Sequence, residues 1–297
     1  MADTQNTVYA QAYAQNIMQL AQQKYSRLMP IVFMKPNVKA KVFYQDQIGQ
    51  WSMSVKGGRN VQTPNNDPNL ARRQGTMVDY HDNRMLDRGD ELRMISDPRS
   101  AYTIAAASSL GRQIDSVIAN TILATAKYGE TGSSSITLGT SSISGISHVN
   151  PLAGLTGTAA TLTIARLLDA KSVLDRENVE QEDRFLVINP FGLQQLLGTT
   201  QVTSADYNTV KALVQGSIDT FLGFKFIISN QLSSNGTTTS CFALQRYAYA
   251  LAMATEPLVR TDERTDLSYS WQVYYELNIG GVRLEEERIV QLDVNNA

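Results

Sequence analysis

Thiols and imidazoles are nearly missing from this chain of 297 residues. Its one cysteine, Cys241, excludes an intramolecular disulfide framework and a zinc site built from several thiolates. Two histidines, His81 and His148, leave little material for general acid–base or metal chemistry. No apolar run approaches the ~20 residues that a membrane span requires. The opening MADTQNTVYAQAYAQN lacks a basic stretch ahead of an apolar core, so no secretory signal is expected. A large excess of positive charge is missing too. The formal net charge of −2 argues against a protein that coats nucleic acid electrostatically. The glycine patterns GxGxxG and GxxxxGK[ST] and the nucleophile pattern GxSxG do not occur. A soluble intracellular protein is the expectation left standing.

Hydrophobic residues make up 42% of the chain, enough for a core and too much for wholesale disorder. The length allows one large domain or two ordinary ones. The stretch around which the rest is organised runs from Asp97 to Gly129. Asp97 is a good N-cap, Pro98 suits the first helical position, Lys127 opposes the dipole in the last turn, and Gly129 can take a left-handed stop. Leu110, Ile114, Val117, Ile118, Ile122 and Thr125 fall on one face at three- and four-residue steps. The spacing predicts one long helix of roughly 45 Å, kept slim by Ala101, Ala105, Ala106, Ala107 and Ala119. Gly111, after Ser108 and Ser109, is where such a helix is expected to bend. A narrow, one-sided helix reads as a strut.

Before it, residues 4–28 read as a weakly amphipathic helix or arm without a core of its own, broken at Met29-Pro30. VKAKVFYQDQ and GQWSMSVKGG read as short strands, NVQTPNNDPNLARRQGT as nearly structureless, and MVDYHDNRMLDRGDELRMISD as alternating again. An excursion of over fifty residues is suspect inside a compact domain, and a two-stranded extension needs a partner to pack on. It reads as a reaching arm.

After the helix, a stretch rich in Ser, Gly and Thr reads as a linker. An α/β half follows. Thr163 caps a helix to about Asn178 with Ile164, Leu167, Leu168 and Leu174 inward; RFLVINP is a buried strand entering a helix at Pro190; Ser204 to Gly216 is a further helix. GFKFIISN is a strand, and CFALQRYAYALAMA another. From Leu267 to Ile279 apolar residues alternate with polar ones, Gly280-Gly281 turns the chain, and VRLEEERIVQL returns as the antiparallel mate.

Candidate chemistry is thin. Asp79-Tyr80-His81-Asp82 places a histidine among carboxylates, but a metal needs three or four converging ligands, and a solvated or interface strand is the simpler reading. Cys241 precedes a hydrophobic strand and reads as a buried small residue. Asp262, Glu263 and Asp266 with Arg260 and Arg264 read as an exposed, salt-paired turn, and Glu285-Glu286-Glu287 as a solvated strand edge. The arm is distinct in carrying Lys56, Arg59, Arg72, Arg73, Arg84, Arg88 and Arg93. Asp67, Asp79, Asp82, Asp87, Asp90 and Glu91 dilute that charge, and Trp51 is the one strong stacking residue nearby. Mixed charge on an extended hairpin fits a protein–protein contact better than nucleic acid.

The order of parts resembles the major capsid protein of tailed bacteriophages, of the Hong Kong 97 type fold. DELRMISDPRSAYTIAAASSLGRQIDSVIANTILATAKYG resembles the stretch leading into that family's spine helix, with Gly111-Arg112 and Asp115 in place. LTIARLLDAKSVLDRENVEQEDRFLVINPFGLQQLL, VTSADYNTVKALVQGSIDTFLGFKFIISN and the closing strands resemble its later part. The resemblance implies an α+β fold with an N-terminal arm (1–39), an extended loop (40–96), a peripheral domain with the spine helix (97–160), an axial domain (161–255) and closing strands (256–297). It implies a non-enzymatic coat subunit that self-assembles into an icosahedral shell around double-stranded DNA. It needs no cofactor or metal, and its intersubunit contacts fall at Lys56, Arg59, Arg72, Arg73, Arg84 and Arg88. Its partners would be copies of itself as hexamers and pentamers, with scaffolding, portal and decoration proteins and non-specific DNA contact, and no membrane. Its place would be the virion, after assembly in the host cytoplasm. Two alternatives remain at this point: a nanocompartment shell subunit of the same fold, and an α/β enzyme with its site in 161–255.

Overall fold

The computed structural model describes residues 21–87, 99–138, 161–198 and 220–296. The long helix α1 spans Arg99–Ile122. Its 24 residues give about 36 Å at 1.5 Å per residue. The expected cap at Asp97-Pro98 lies outside the described residues. The expected apolar face is buried: Leu110, Ile114, Val117, Ile118 and Ile122 all lie inside. The helix ends a turn and more before the expected stop, because Arg283 takes its last carbonyls. Arg283 Nη1 donates to Ile122 O (3.0 Å) and Ala124 O (2.7 Å). A guanidinium there satisfies orphan acceptors and opposes the dipole. Ala126–Tyr128 is instead strand β5. α1 runs unbroken through Gly111. A Cβ there would lie 3.0 Å from Ser26 N and 3.1 Å from Tyr25 C, so the glycine admits a crossing backbone.

The strands described form three sheets. The first contains β1 (Phe33–Lys35), β4 (Val78–Leu86), β11 (Tyr249–Met253), β12 (Leu258–Arg264) and β13 (Ser270–Arg283). β13 is its axis: Tyr275 pairs with Val259 of β12 and Asp82 of β4, so those two strands take its two edges. The second sheet has the order β14-β10-β7-β9-β8, from β7 (Arg184–Ile188), β8 (Thr220–Phe221), β9 (Phe224–Ile228), β10 (Thr238–Gln245) and β14 (Ile289–Asn295). The third runs β2-β3-β5-β6, from β2 (Val42–Ile48), β3 (Leu70–Thr76), β5 and β6 (Ser134–Ile136). Helices α2 (Ile164–Arg176) and α3 (Pro190–Gly198) are the other α-helices among the described residues.

Several expected elements form as read. Thr163 caps α2 by accepting from Arg166 N, and β7 is buried along its length before α3 opens at Pro190. Leu168 departs from the expected inner face and is exposed; Ala170 and Val173 are buried with Ile164, Leu167 and Leu174. The helix expected over 204–216 lies outside the described residues.

Other expectations are corrected. CFALQRYAYALAMA is two strands in two sheets, since a 3-10 turn at Arg246–Ala248 carries the chain from β10 to β11. Residues 49–58 form no strand, whereas polar LARRQGT does, pairing with β2 along its length as β3. A strand needs a partner more than it needs apolar residues. The mate expected for β13 pairs elsewhere: β14 runs antiparallel to β10. Gly280-Gly281 does not turn the chain but lies within β13. A Cβ on Gly280 would sit 2.3 Å from Thr76 O, and one on Gly281 1.5 Å from the Tyr249 hydroxyl. That hydroxyl lies 2.5 Å from Thr121 Oγ1 on α1, so the glycines let the sheet close against the strut. Gly280→Ala, which meets backbone, is expected to cost about 1–3 kcal/mol through overpacking, read by chemical denaturation.

The larger core joins α1, α2, α3 and the second sheet to Tyr249, Leu251, Leu277 and Ile279. A smaller one seats the third sheet, through Phe43, Met77, Ala126 and Ile136, on Ala250, Ala252, Val282 and Leu284. Cys241 is fully buried in β10. Burial pushes its thiol up to about 12, so alkylation should await unfolding, a result that mass spectrometry with iodoacetamide reads directly.

Candidate intersubunit surfaces

The β2–β3 hairpin is bolted to the body by charges that the sequence reading placed on the surface. Arg73, expected at an intersubunit contact, is 1% exposed. Its Nη2 donates to Glu286 Oε2 at 2.5 Å. Glu286, expected on a solvated edge, is buried and also accepts from Arg283 Nε at 3.0 Å. One carboxylate therefore joins the hairpin to the residue that caps α1. Desolvation is the largest influence on Arg283 and lowers its pKa, against the pull of Glu286. Adjacent charged letters concealed this cluster, because composition alone assigns RR and EEE to solvent.

Between β2 and β3 the chain leaves the body. The excursion exposes Trp51 (74%), Met53 (94%), Val55 (96%) and Val61 (52%), with Ile48 (74%) and Leu70 (78%) at its root. Its described hydrogen bonds include Asn66 Nδ2 to Ser52 O (3.3 Å) and Ser54 Oγ (3.2 Å), both internal. Lys56 and Arg59 are exposed on it. Arg72 lies at the root and pairs with Asp46 at 2.6 Å, each raising the other's preference for its charged form. Arg84 sits apart on β4, 5.9 Å from the ring of Tyr102. Arg88 and Arg93 lie outside the described residues. Among the described cations, Arg73 is buried and Arg72 is paired, while Lys56 and Arg59 stand exposed on the excursion.

A second feature escaped the sequence reading. Asp115 on α1 is fully buried and gathers the incoming N-terminal chain. Its carboxylate accepts from Gln23 Nε2 (2.5 Å), Ser26 Oγ (2.5 Å), Arg27 N (2.9 Å) and Leu28 N (3.0 Å). Arg112 Nη1 donates to Gln22 Oε1 at 2.8 Å, and Arg27 Nη1 to Ile228 O at 2.7 Å. Charge-assisted bonds of this kind are the strong ones. Residues 22–28 are thus held on α1, with Tyr25 and Ser26 crossing above Gly111. An acid, an arginine and a glycine on one helix face were the available signal.

His81 lies on exposed β4, opposite Glu276 of β13. Beside it, the Tyr275 hydroxyl donates to Asp82 Oδ2 (2.9 Å) and Asn278 Nδ2 to Asp79 Oδ1. Among the described residues no three His, Cys, Asp or Glu side chains are grouped to hold a metal ion. No described helix is long and apolar enough to cross a membrane.

A helix buried along one face, an anchored hairpin with an exposed apolar excursion and an N-terminal chain held by Asp115 are therefore the features to compare. The family model described as "Phage capsid protein" matches residues 5–296. The chain belongs to the phage capsid protein family. The capsid protein has the Hong Kong 97 type fold, and solved structures agree. The capsid of cyanophage P-SCSP1u superposes with a TM-score of 0.74 at 16% identity, covering 98% of this chain and 94% of that one. Mycobacterium phage Che8 gives 0.69 at 18% identity, covering 96% and 97%. The acid-stable capsid of Helicobacter pylori bacteriophage KHP30 gives 0.69 at 11% identity, covering 99% and 98%. No curated protein matches the sequence. This is a structural protein of the virion, a major capsid protein that forms an icosahedral shell from copies of itself.

Proposed function

We propose that the capsid protein closes its shell chiefly through the 49–69 excursion, laid over a neighbouring copy, with the arm ahead of Leu28 as a second clasp. The observation that carries this is the apolar row Trp51, Met53, Val55 and Val61, exposed on a segment without a core. Side chains of this size gain about 1.5–3 kcal/mol each when fully buried, so a neighbour that covers them is strongly favoured. A contact from one surface patch to a different one is heterologous and makes a ring when its rotation closes, as hexamers and pentamers require. The shell encloses double-stranded DNA, touched non-specifically by a protein of net charge −2. Assembly takes place in the host cytoplasm, with scaffolding, portal and decoration proteins as further partners.

Joining Gln50 to Asp67 through a short glycine turn tests the reading, because the anchors Arg73–Glu286 and β2–β3 stay in place. The shortened protein should melt within a few degrees of wild type yet form no shells by negative-stain microscopy. Shells at normal yield would refute the role given to the excursion.

A further inference from the structure

The root of the hairpin encloses a cleft of about 540 Å³ between β2, β3, the end of α2 and the chain after β13. Gln47, Asn69, Arg73, Glu177, Glu285 and Glu287 are among its walls. Its rim is acidic. Arg288, the other cation in the wall, is already engaged by Glu285 at 2.5 Å and by Glu180. Arg73 is likewise engaged by Glu286. Carboxylates therefore outnumber guanidiniums around the opening. Ile48, Ala71 and Val179 add apolar wall. Arg73, all but fully buried, lines the cleft while its Nε and Nη1 hydrogens have no acceptor among the described residues. Buried donors of this kind call for a partner.

We infer that this cleft receives the tip of the excursion from a second copy of the chain, with Lys56 and Arg59 set against the acidic rim and a backbone carbonyl meeting Arg73. The inference rests on the proposed role of the excursion and adds its receptor. Complementary charge selects the occupant. The tip carries exposed Lys56 and Arg59 beside apolar Val55 and Val61, and the cleft offers Glu177, Glu285 and Glu287 beside Ile48 and Val179. An acidic segment would be repelled, and a purely apolar one would leave the rim unused. Tip and receptor are different surfaces of one chain, so repetition gives a head-to-tail array, a ring where the rotation closes.

Full-length protein carrying Lys56→Cys and Glu177→Cys tests this, because native Cys241 is buried and silent. Shells oxidised gently and run on a denaturing gel without reductant should give a ladder of multiples of the subunit mass. Each single-cysteine variant, and Lys56→Cys with Lys171→Cys on the exposed side of α2, should give none. The charge-reversed protein Lys56→Glu with Arg59→Glu should lose its shells, and adding Glu177→Lys with Glu287→Lys should restore them. Intact shells without a ladder, or normal shells from the charge-reversed protein, would overturn the receptor assignment while leaving the excursion's role standing. A wild-type protein that never forms shells would instead overturn the underlying reading. A ladder equally strong with Lys171→Cys would show tip contact without this cleft, and also counts against it.

Discussion

Asp115→Ala should free the N-terminal chain from the spine helix and destabilise the capsid protein by about 2–6 kcal/mol, from ~1–3 kcal/mol for each of two stranded backbone donors. The donors are Arg27 N and Leu28 N, and Leu28 is fully buried, so water cannot readily replace the lost carboxylate. Ser26 Oγ and Gln23 Nε2 lose the same acceptor. Asp115→Asn should fall between, since its amide keeps one accepting oxygen but turns an NH₂ toward donors. Urea denaturation gives the loss. Limited trypsinolysis after Lys24 and Arg27 reports release of the arm and should quicken well ahead of global unfolding. Equal cleavage rates in wild type and Asp115→Ala would show that the latch does not hold. A released N-terminal chain should also lower shell yield, because Gln23, Ser26 and Arg27 would no longer be held on α1.

Glu286→Ala carries the other large expectation. It leaves two guanidiniums, Arg73 and Arg283, buried without their shared counter-charge. Removing one partner of a buried ion pair typically costs about 3–5 kcal/mol, and the two like charges add to it. Arg283→Met separates the functions of the cluster. It spares the Arg73–Glu286 pair at 2.5 Å but strips the acceptors Ile122 O, Ala124 O and Ile136 O of their donor. Amide hydrogen exchange should then rise over the last turn of α1 while the β2–β3 hairpin stays protected. Glu286→Ala should raise exchange in both. If exchange in the hairpin were unchanged in Glu286→Ala, the carboxylate would not be the bolt described.

Much of the scaffold could be read from residues alone, because burial periodicity is local. The inner face of α1, the Thr163 cap, the strand entering α3 and the alternation of β13 all follow from spacing within one element. Pairing is not local. Alternation says which face of a strand is buried, not which strand lies beside it, so VRLEEERIVQL reads as the mate of β13 although β14 pairs with β10. For the same reason the passage from β10 to β11 through Arg246–Ala248 was invisible. Gly280-Gly281 signals a turn in any local grammar, and only the approach of Thr76 O and Tyr249 shows it to be a close contact instead. The exposure of the cations was legible in part. Lys56 and Arg59 stand exposed on the excursion as the mixed-charge reading expected, while Arg73 was drawn inward by a glutamate 213 positions away. Trp51, Met53 and Val55, which alternate as a strand would, stand exposed in a stretch that forms no strand.

Electron microscopy of the expressed full-length protein under assembly conditions tests the central claim most directly. Closed icosahedral shells are expected, and a reconstruction should place residues 51–66 of each subunit against a neighbouring copy, with Trp51, Met53 and Val55 covered. A monodisperse species near 32.8 kDa under every assembly condition would contradict the account. So would shells in which that segment folds back on its own chain.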